Sequence, residues 1–140
     1  MANIIVVGVD DGEPALRAAR RAAELAAQSG ATLHVLTAVD QGRVEDFPDR
    51  PGSSQLTSGE IAESIAADVA REVGAAVDRV TSGVLQGRPS DALVEEATRL
   101  DARLIVVGNR RVQGIGRLLG SVATGVAAHA PCDVYIVKTV

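Results

Sequence analysis

Two stretches of this chain are apolar and β-branched almost without a break: residues 3–9, from Asn3 to Val9, and residues 103–107, from Arg103 to Val107. A strand with one wet face alternates apolar and polar residues. A strand without that alternation is covered on both faces, as in the middle of a parallel sheet. Parallel neighbours cannot be joined by a hairpin and need a crossover, usually a helix. The segments between the two runs must therefore supply helices.

They do. From Ala15 to Gln28, Leu16, Ala19, Ala23 and Ala26 share one face, and Arg17, Arg20, Arg21 and Glu24 take the other. That is an amphipathic helix, with Gly30 as its stop. Thr32 to Val39 reads as a second strand. Ser58 to Val73 is helical, with Ile61, Ile65 and Val69 at spacing four, and a weaker strand covers Val80 to Leu85. Gly87-Arg88-Pro89 opens a third helix, with Asp91 near its positive end and Leu93, Ala97 and Leu100 as its buried stripe. Ser121 to His129 is a fourth helix, ended by Ala130-Pro131, and Cys132 to Lys138 is a last strand. Residues 41–56, with Pro48, Pro51 and Gly52, are long for a loop and are expected to form a lid or an insert.

The alternation implies an α/β fold: a doubly wound, five-stranded parallel sheet with helices on both faces, Rossmann-like, expected as one domain over residues 1–140. In strand order 3-2-1-4-5 the two apolar runs are neighbours. The winding reverses between them, and ligands bind beyond the carboxyl ends of such strands. Asp10-Asp11 and the loop after Val107 then meet at one crevice, although they lie about a hundred residues apart. That loop is rich in Gly and Arg, and it ends in Gly120-Ser121 at a helix start. Backbone N–H groups and a helix N-terminus offered in this way suit an anion, phosphate first.

Composition narrows the partners. The net charge of −4 argues against nucleic acid, whose phosphates select basic surfaces. Phe47 and Tyr135 are the aromatic residues, and Trp is absent, so a bound base is gripped by aliphatic side chains and backbone. The single cysteine, Cys132, excludes an internal disulfide and reads as a buried structural residue. The first apolar run is too short to be a signal or membrane segment, and a soluble cytoplasmic protein is expected. His34 and His129 belong to no Ser/His/Asp set, and no metal-ligand cluster is evident.

The chain resembles the universal stress protein family along essentially its whole length. The resemblance rests on Val6-Val7-Gly8-Val9-Asp10, Gly87-Arg88-Pro89, Val106-Val107-Gly108-Asn109-Arg110, Gly120-Ser121-Val122 and the ending from His129 to Val137. It implies an adenine nucleotide alpha hydrolase-like fold, a stress-response role, a homodimer and ATP binding. ATP-binding members carry Gly, two residues, Gly, nine residues, then Gly-Ser or Gly-Thr. Here Gly108 and Gly120-Ser121 match the ends. Arg111 stands at the second Gly, and eight residues, Val112 to Leu119, follow it. Asp11-Gly12 replaces the usual Gly-Ser after the aspartate.

The resemblance assigns Gly108, Asn109, Gly120, Ser121 and Val122 to the phosphates and ribose, with Val9 and Asp10 opposite. Asp10 lies by the nucleotide and holds Mg²⁺ through water, or it is a helix-leading cap. Asp11 helps with the metal or repels a triphosphate. Val39 meets adenine through its backbone or sits in the core. Arg111 turns outward or forks onto a phosphate, and the nearby Gly114 restores flexibility. Ser121 contacts phosphate, serves as an ordinary N-cap, or both; Arg110 and Arg117 are expected in solvent. The last strand, Val134, Tyr135, Ile136 and Val137, is an apolar edge that pairing with a second copy would cover. The expected function is nucleotide-dependent regulation with ATP and Mg²⁺, without efficient turnover, since no general base or nucleophile can be named. Alternatives are a dimeric interaction module that binds no nucleotide, or a binder of AMP or cyclic AMP. Adenylating and sulfur-transfer enzymes on a related fold carry a Ser-Gly-Gly-type loop where this chain has Asp10-Asp11-Gly12.

Overall fold

The computed structural model describes residues 1–40, 58–110 and 119–139. Strand β1 (Ile4–Gly8) leads into helix α1 (Glu13–Ser29) and strand β2 (Thr32–Val39). Helix α2 (Ser58–Val73), a 3₁₀ turn at Gly74–Ala76 and strand β3 (Val80–Gln86) follow. Helix α3 (Pro89–Leu100), strand β4 (Leu104–Gly108), helix α4 (Ser121–His129) and strand β5 (Asp133–Val137) complete the order. The five strands are parallel and lie in the order β3-β2-β1-β4-β5.

The β-branched runs take the centre because both their faces are covered. Val6, Val7, Ile105 and Val106 are fully buried. On one face Ile5, Val7, Leu33 and Val35 pack against α1 and α2. On the other, Val6, Leu36, Ile105 and Val107 pack against α3 and α4. Helix α1 lies close to the sheet because its inner stripe is alanine: Ala15, Ala18, Ala19, Ala22, Ala23 and Ala26 are all buried. Its expected companion Leu16 is only half-buried, at the margin of that stripe. Gly30 ends α1 in the left-handed conformation, φ 66°, with its N–H on the Ala26 carbonyl.

Element ends differ from the sequence pattern by one or two residues. Asn3 stays outside β1 because its side chain donates to the Ser29 carbonyl at 3.1 Å. Helix α1 starts two residues early, at Glu13, whose carboxylate pairs with Arg17 and Arg20. The expected lid at 41–56 lies outside the described residues.

Helices α3 and α4 touch at Gly125, where a Cβ would stand 2.7 Å from both Cβ and Oγ of Ser90. Gly125→Ala should cost about 1 kcal/mol, overpacking outweighing the gain in helix propensity. With Ser90→Gly also present, Gly125→Ala should instead stabilise by about 1 kcal/mol. Urea unfolding of the four proteins checks the change of sign; equal effects in both backgrounds would contradict the contact.

Candidate functional site

A crevice of about 240 Å³ runs across the carboxyl ends of β2, β1 and β4. Its apolar wall comes from three directions. Leu36, Thr37 and Ala38 close β2, while Pro14, Ala15 and Ala18 face in from α1. Pro89 and Leu93 face in from α3. Val9 and Val107 floor it between them. The polar end holds Asp10, Gly108, Arg110, Ser121, Val122 and Thr139. The ends of β2 and β4 are two strand spacings apart, about 10 Å. Apolar wall and polar end are thus separated as the base and phosphate of a nucleotide are.

Several of the polar groups face the crevice because of local backbone chemistry. Gly120 precedes α4 in extended conformation, φ −63° and ψ 161°, and supplies no side-chain cap. The first N–H groups of a helix have no partner within it. Those of Ser121 and Val122 therefore stand at the crevice with the positive end of the helix dipole behind them. Ser121 is the first residue of the helix, and no side-chain cap bond closes the helix start, so the N-cap reading of Ser121 is corrected. With no side-chain oxygen spent there, the first-turn donors stay available.

Arg110 is exposed, as expected, but it also has a partner: its Nη2 lies 3.4 Å from Oδ2 of Asp10, and both residues line the crevice. Parallel pairing of β1 with β4 explains this, because each residue follows its strand by two positions. The Asp10 carboxyl is pushed up from the usual carboxylate range. Desolvation by the crevice walls is the main cause and the Asp11 charge adds to it, while the Arg110 guanidinium and a backbone hydrogen bond oppose the shift. Its side chain nevertheless keeps 62% of its surface, since the crevice crowds it on one side only.

Other expected residues fall elsewhere. Val39 is 2% exposed and not among the lining residues; its carbonyl accepts from Gly87 N–H at 2.8 Å. Ala38, one residue earlier, lines the crevice instead, because the β2 pleat turns 36 and 38 toward α3 and α4. Asp11 faces away, into a shallow groove between α1 and α2 with Asp68 and Glu72. Asn109 serves the fold: its Oδ1 accepts from the Thr139 N–H at 2.9 Å and from its hydroxyl at 3.2 Å. The Arg17 guanidinium donates to the Thr139 carbonyl at 3.3 Å. Thr139 is thereby buried in the crevice floor, against Gly108, where a Cβ would stand 3.3 Å from the Thr139 methyl. Arg111, Gly114 and Arg117 lie outside the described residues.

Thr37 and Thr139 carried no sequence signal. A single Thr in an apolar strand, or just after one, reads as β propensity. A metal finds little here. Among the described residues no group of three or more His, Cys, Asp or Glu could hold an ion. Among the described lining residues the one carboxylate, Asp10, already faces a guanidinium. Mg²⁺ would have to come with a polyphosphate and take most of its oxygens from it.

A parallel α/β sheet with a crevice across the strands where its winding reverses defines a Rossmann-like fold. The chain belongs to the Universal stress protein family, whose sequence model matches residues 1–138. A universal stress protein of Thermus aquaticus is 34% identical over 141 residues, 99% of this chain and 100% of that protein. A crystal structure of a universal stress protein in complex with cAMP is 36% identical, with a TM-score of 0.76 over 98% of this chain and 97% of that one. The universal stress protein from Archaeoglobus fulgidus in complex with dAMP is 27% identical, with a TM-score of 0.72 over 96% of each chain. No described helix is long and apolar enough to cross a membrane.

The Thr37 hydroxyl is buried and has no hydrogen-bond partner among the described residues. An unmade buried hydrogen bond costs about 1–3 kcal/mol. Thr37→Val keeps the shape and removes the hydroxyl, so it should stabilise the free protein by about 1 kcal/mol and raise Tm by about 3 °C. Scanning calorimetry checks this; a fall in Tm would mean that the hydroxyl bonds within the fold.

Proposed function

We propose that this protein is a cytoplasmic stress-response regulator that binds an adenine nucleotide in the crevice and acts as a homodimer of one 140-residue domain. The observation that carries the reading is the crevice itself. An apolar wall at β2, α1 and α3 ends, one nucleoside length away, in the free N–H groups of α4 beside Arg110. Base and ribose occupy the wall formed by Val9, Leu36, Ala38 and Leu93. Gly108, Gly120, Ser121 and Val122 surround the phosphate. The cAMP and dAMP complexes of relatives support a ligand with one phosphate. The limited donor set for Mg²⁺ also favours AMP or cyclic AMP over ATP.

Binding, not turnover, is the proposed activity. Among the described lining residues, Asp10 and Arg110 are the ionisable ones, and neither stands as a base beside a nucleophile. Regulation then works through occupancy. The edge strand β5 has β4 as its neighbour in the sheet, with Val134, Tyr135, Ile136 and Val137 half-buried. Pairing with the same strand of a second copy covers that edge. Sedimentation should give twice the chain mass of 14.4 kDa; a monomer at all concentrations would remove the dimer.

Calorimetric titration with ATP, ADP, AMP and cyclic AMP, with and without Mg²⁺, tests the ligand. AMP or cyclic AMP should bind at micromolar concentration without needing the metal. Ser121→Pro is the matching variant, because Gly120 already has the extended backbone that precedes proline and proline suits a first helical position. It deletes one N–H and one hydroxyl and should weaken AMP roughly 10- to 100-fold while leaving Tm nearly unchanged. No heat with any nucleotide would leave the dimer as the functional unit.

A further inference from the structure

We propose that Arg110 reads the ligand's phosphate and that Asp10 holds it in reserve, as a latch that the phosphate opens by taking Asp10's place. The proposal rests on the nucleotide reading of the crevice and names the side chain that selects a nucleotide over its nucleoside.

The latch is loose by construction. One guanidinium nitrogen faces one carboxylate oxygen at 3.4 Å, with side-chain exposures of 43% and 62%. Charge-assisted bonds of full strength are shorter, about 2.7–2.9 Å, and in arginine pairs are often bidentate. A partly hydrated single contact of this kind contributes little, so exchanging it for another anion costs little. A phosphate group offers what Asp10 does not give here: several oxygens that match both arms of the planar fork.

The position is right for that exchange. Arg110 lies at the polar end of the crevice with Ser121 and Val122, whose free N–H groups fix where an anion settles. Its Nη1 also overlies the turn after β1, 3.6 Å from where a Cβ of Gly12 would stand. The guanidinium therefore stands over the β1 turn, in the crevice that Ser121 and Val122 also line. Without a ligand, Arg110 also offsets the Asp10 charge, which would otherwise repel an incoming phosphate at close range. When phosphate takes the guanidinium, the Asp10 carboxylate is left free to accept from ligand hydroxyls.

The test is a thermodynamic cycle on the whole protein. AMP and adenosine are titrated into the wild type, Arg110→Gln and Asp10→Asn. Arg110→Gln should weaken AMP roughly 10- to 100-fold and adenosine less than about threefold. Asp10→Asn should widen the preference for AMP over adenosine, because it frees the guanidinium. Equal weakening of both ligands by Arg110→Gln, or of neither, would overturn the latch. Inorganic pyrophosphate separates this from the parent reading. If adenosine and AMP fail to bind the wild type, the nucleotide reading falls. The latch then still predicts that pyrophosphate raises Tm of the wild type and not of Arg110→Gln, and an equal rise in both would overturn it.

Discussion

The pairing of β1 with β4 is the contact on which the rest depends. Ile5, Val6 and Val7 stand beside Leu104, Ile105 and Val106, joining segments about a hundred residues apart. The burial of Ile5, Val6, Val7, Ile105 and Val106, with Leu104 half-buried at the margin, fixes the sheet centre. The same pairing sets two strand ends side by side, so Asp10 and Arg110 meet across one spacing. Because the crossovers leave these strands in opposite directions, the helices part above them and a crevice opens. Fold stability and binding geometry thus rest on one ladder.

The crevice is built mainly from small residues and backbone. Alanines on α1 and the glycines ending β1 and β4 keep the walls close without filling the space. Gly8 illustrates the margin: a Cβ there would stand 2.5 Å from the end of Leu93. Binding strength must then come from few polar groups, chiefly the free N–H groups of α4 and the Arg110 guanidinium. Such a site favours a ligand with a flat apolar part and a compact anion. The Asn109 clip, which draws Thr139 under Gly108, ties this site to the tail of β5. The polar end of the crevice and the sheet edge proposed for dimer pairing are therefore joined through the Asn109–Thr139 hydrogen bonds.

How much of this was legible in the sequence follows from what a periodic pattern encodes. Uninterrupted β-branched runs mark doubly covered strands, so β1 and β4 are readable, and the spacing of Ala19, Ala23 and Ala26 marks the inner face of α1. Gly30 and Pro89 mark a stop and a start through their backbone chemistry. The strand order followed from the family resemblance. A pattern gives the face of an element but not what lies across from its end. Hence Ala38 rather than Val39 reaches the crevice, a matter of pleat at the last residues of β2. Asp11 turns to the other side of α1, which depends on the direction of a two-residue turn. Arg110, read as solvated, finds Asp10 only through the lateral pairing. Asn109 binds Thr139 because β5 runs beside β4, a contact thirty positions away in the chain.

The most direct measurement is a titration of ¹⁵N-labelled protein with AMP, followed by amide chemical shifts. The crevice account predicts that the shifts concentrate at Val9, Ala38, Gly108, Ser121 and Val122, with the outer face of α2 unmoved. Saturable shifts centred elsewhere, or none at these residues under saturating AMP, would contradict it.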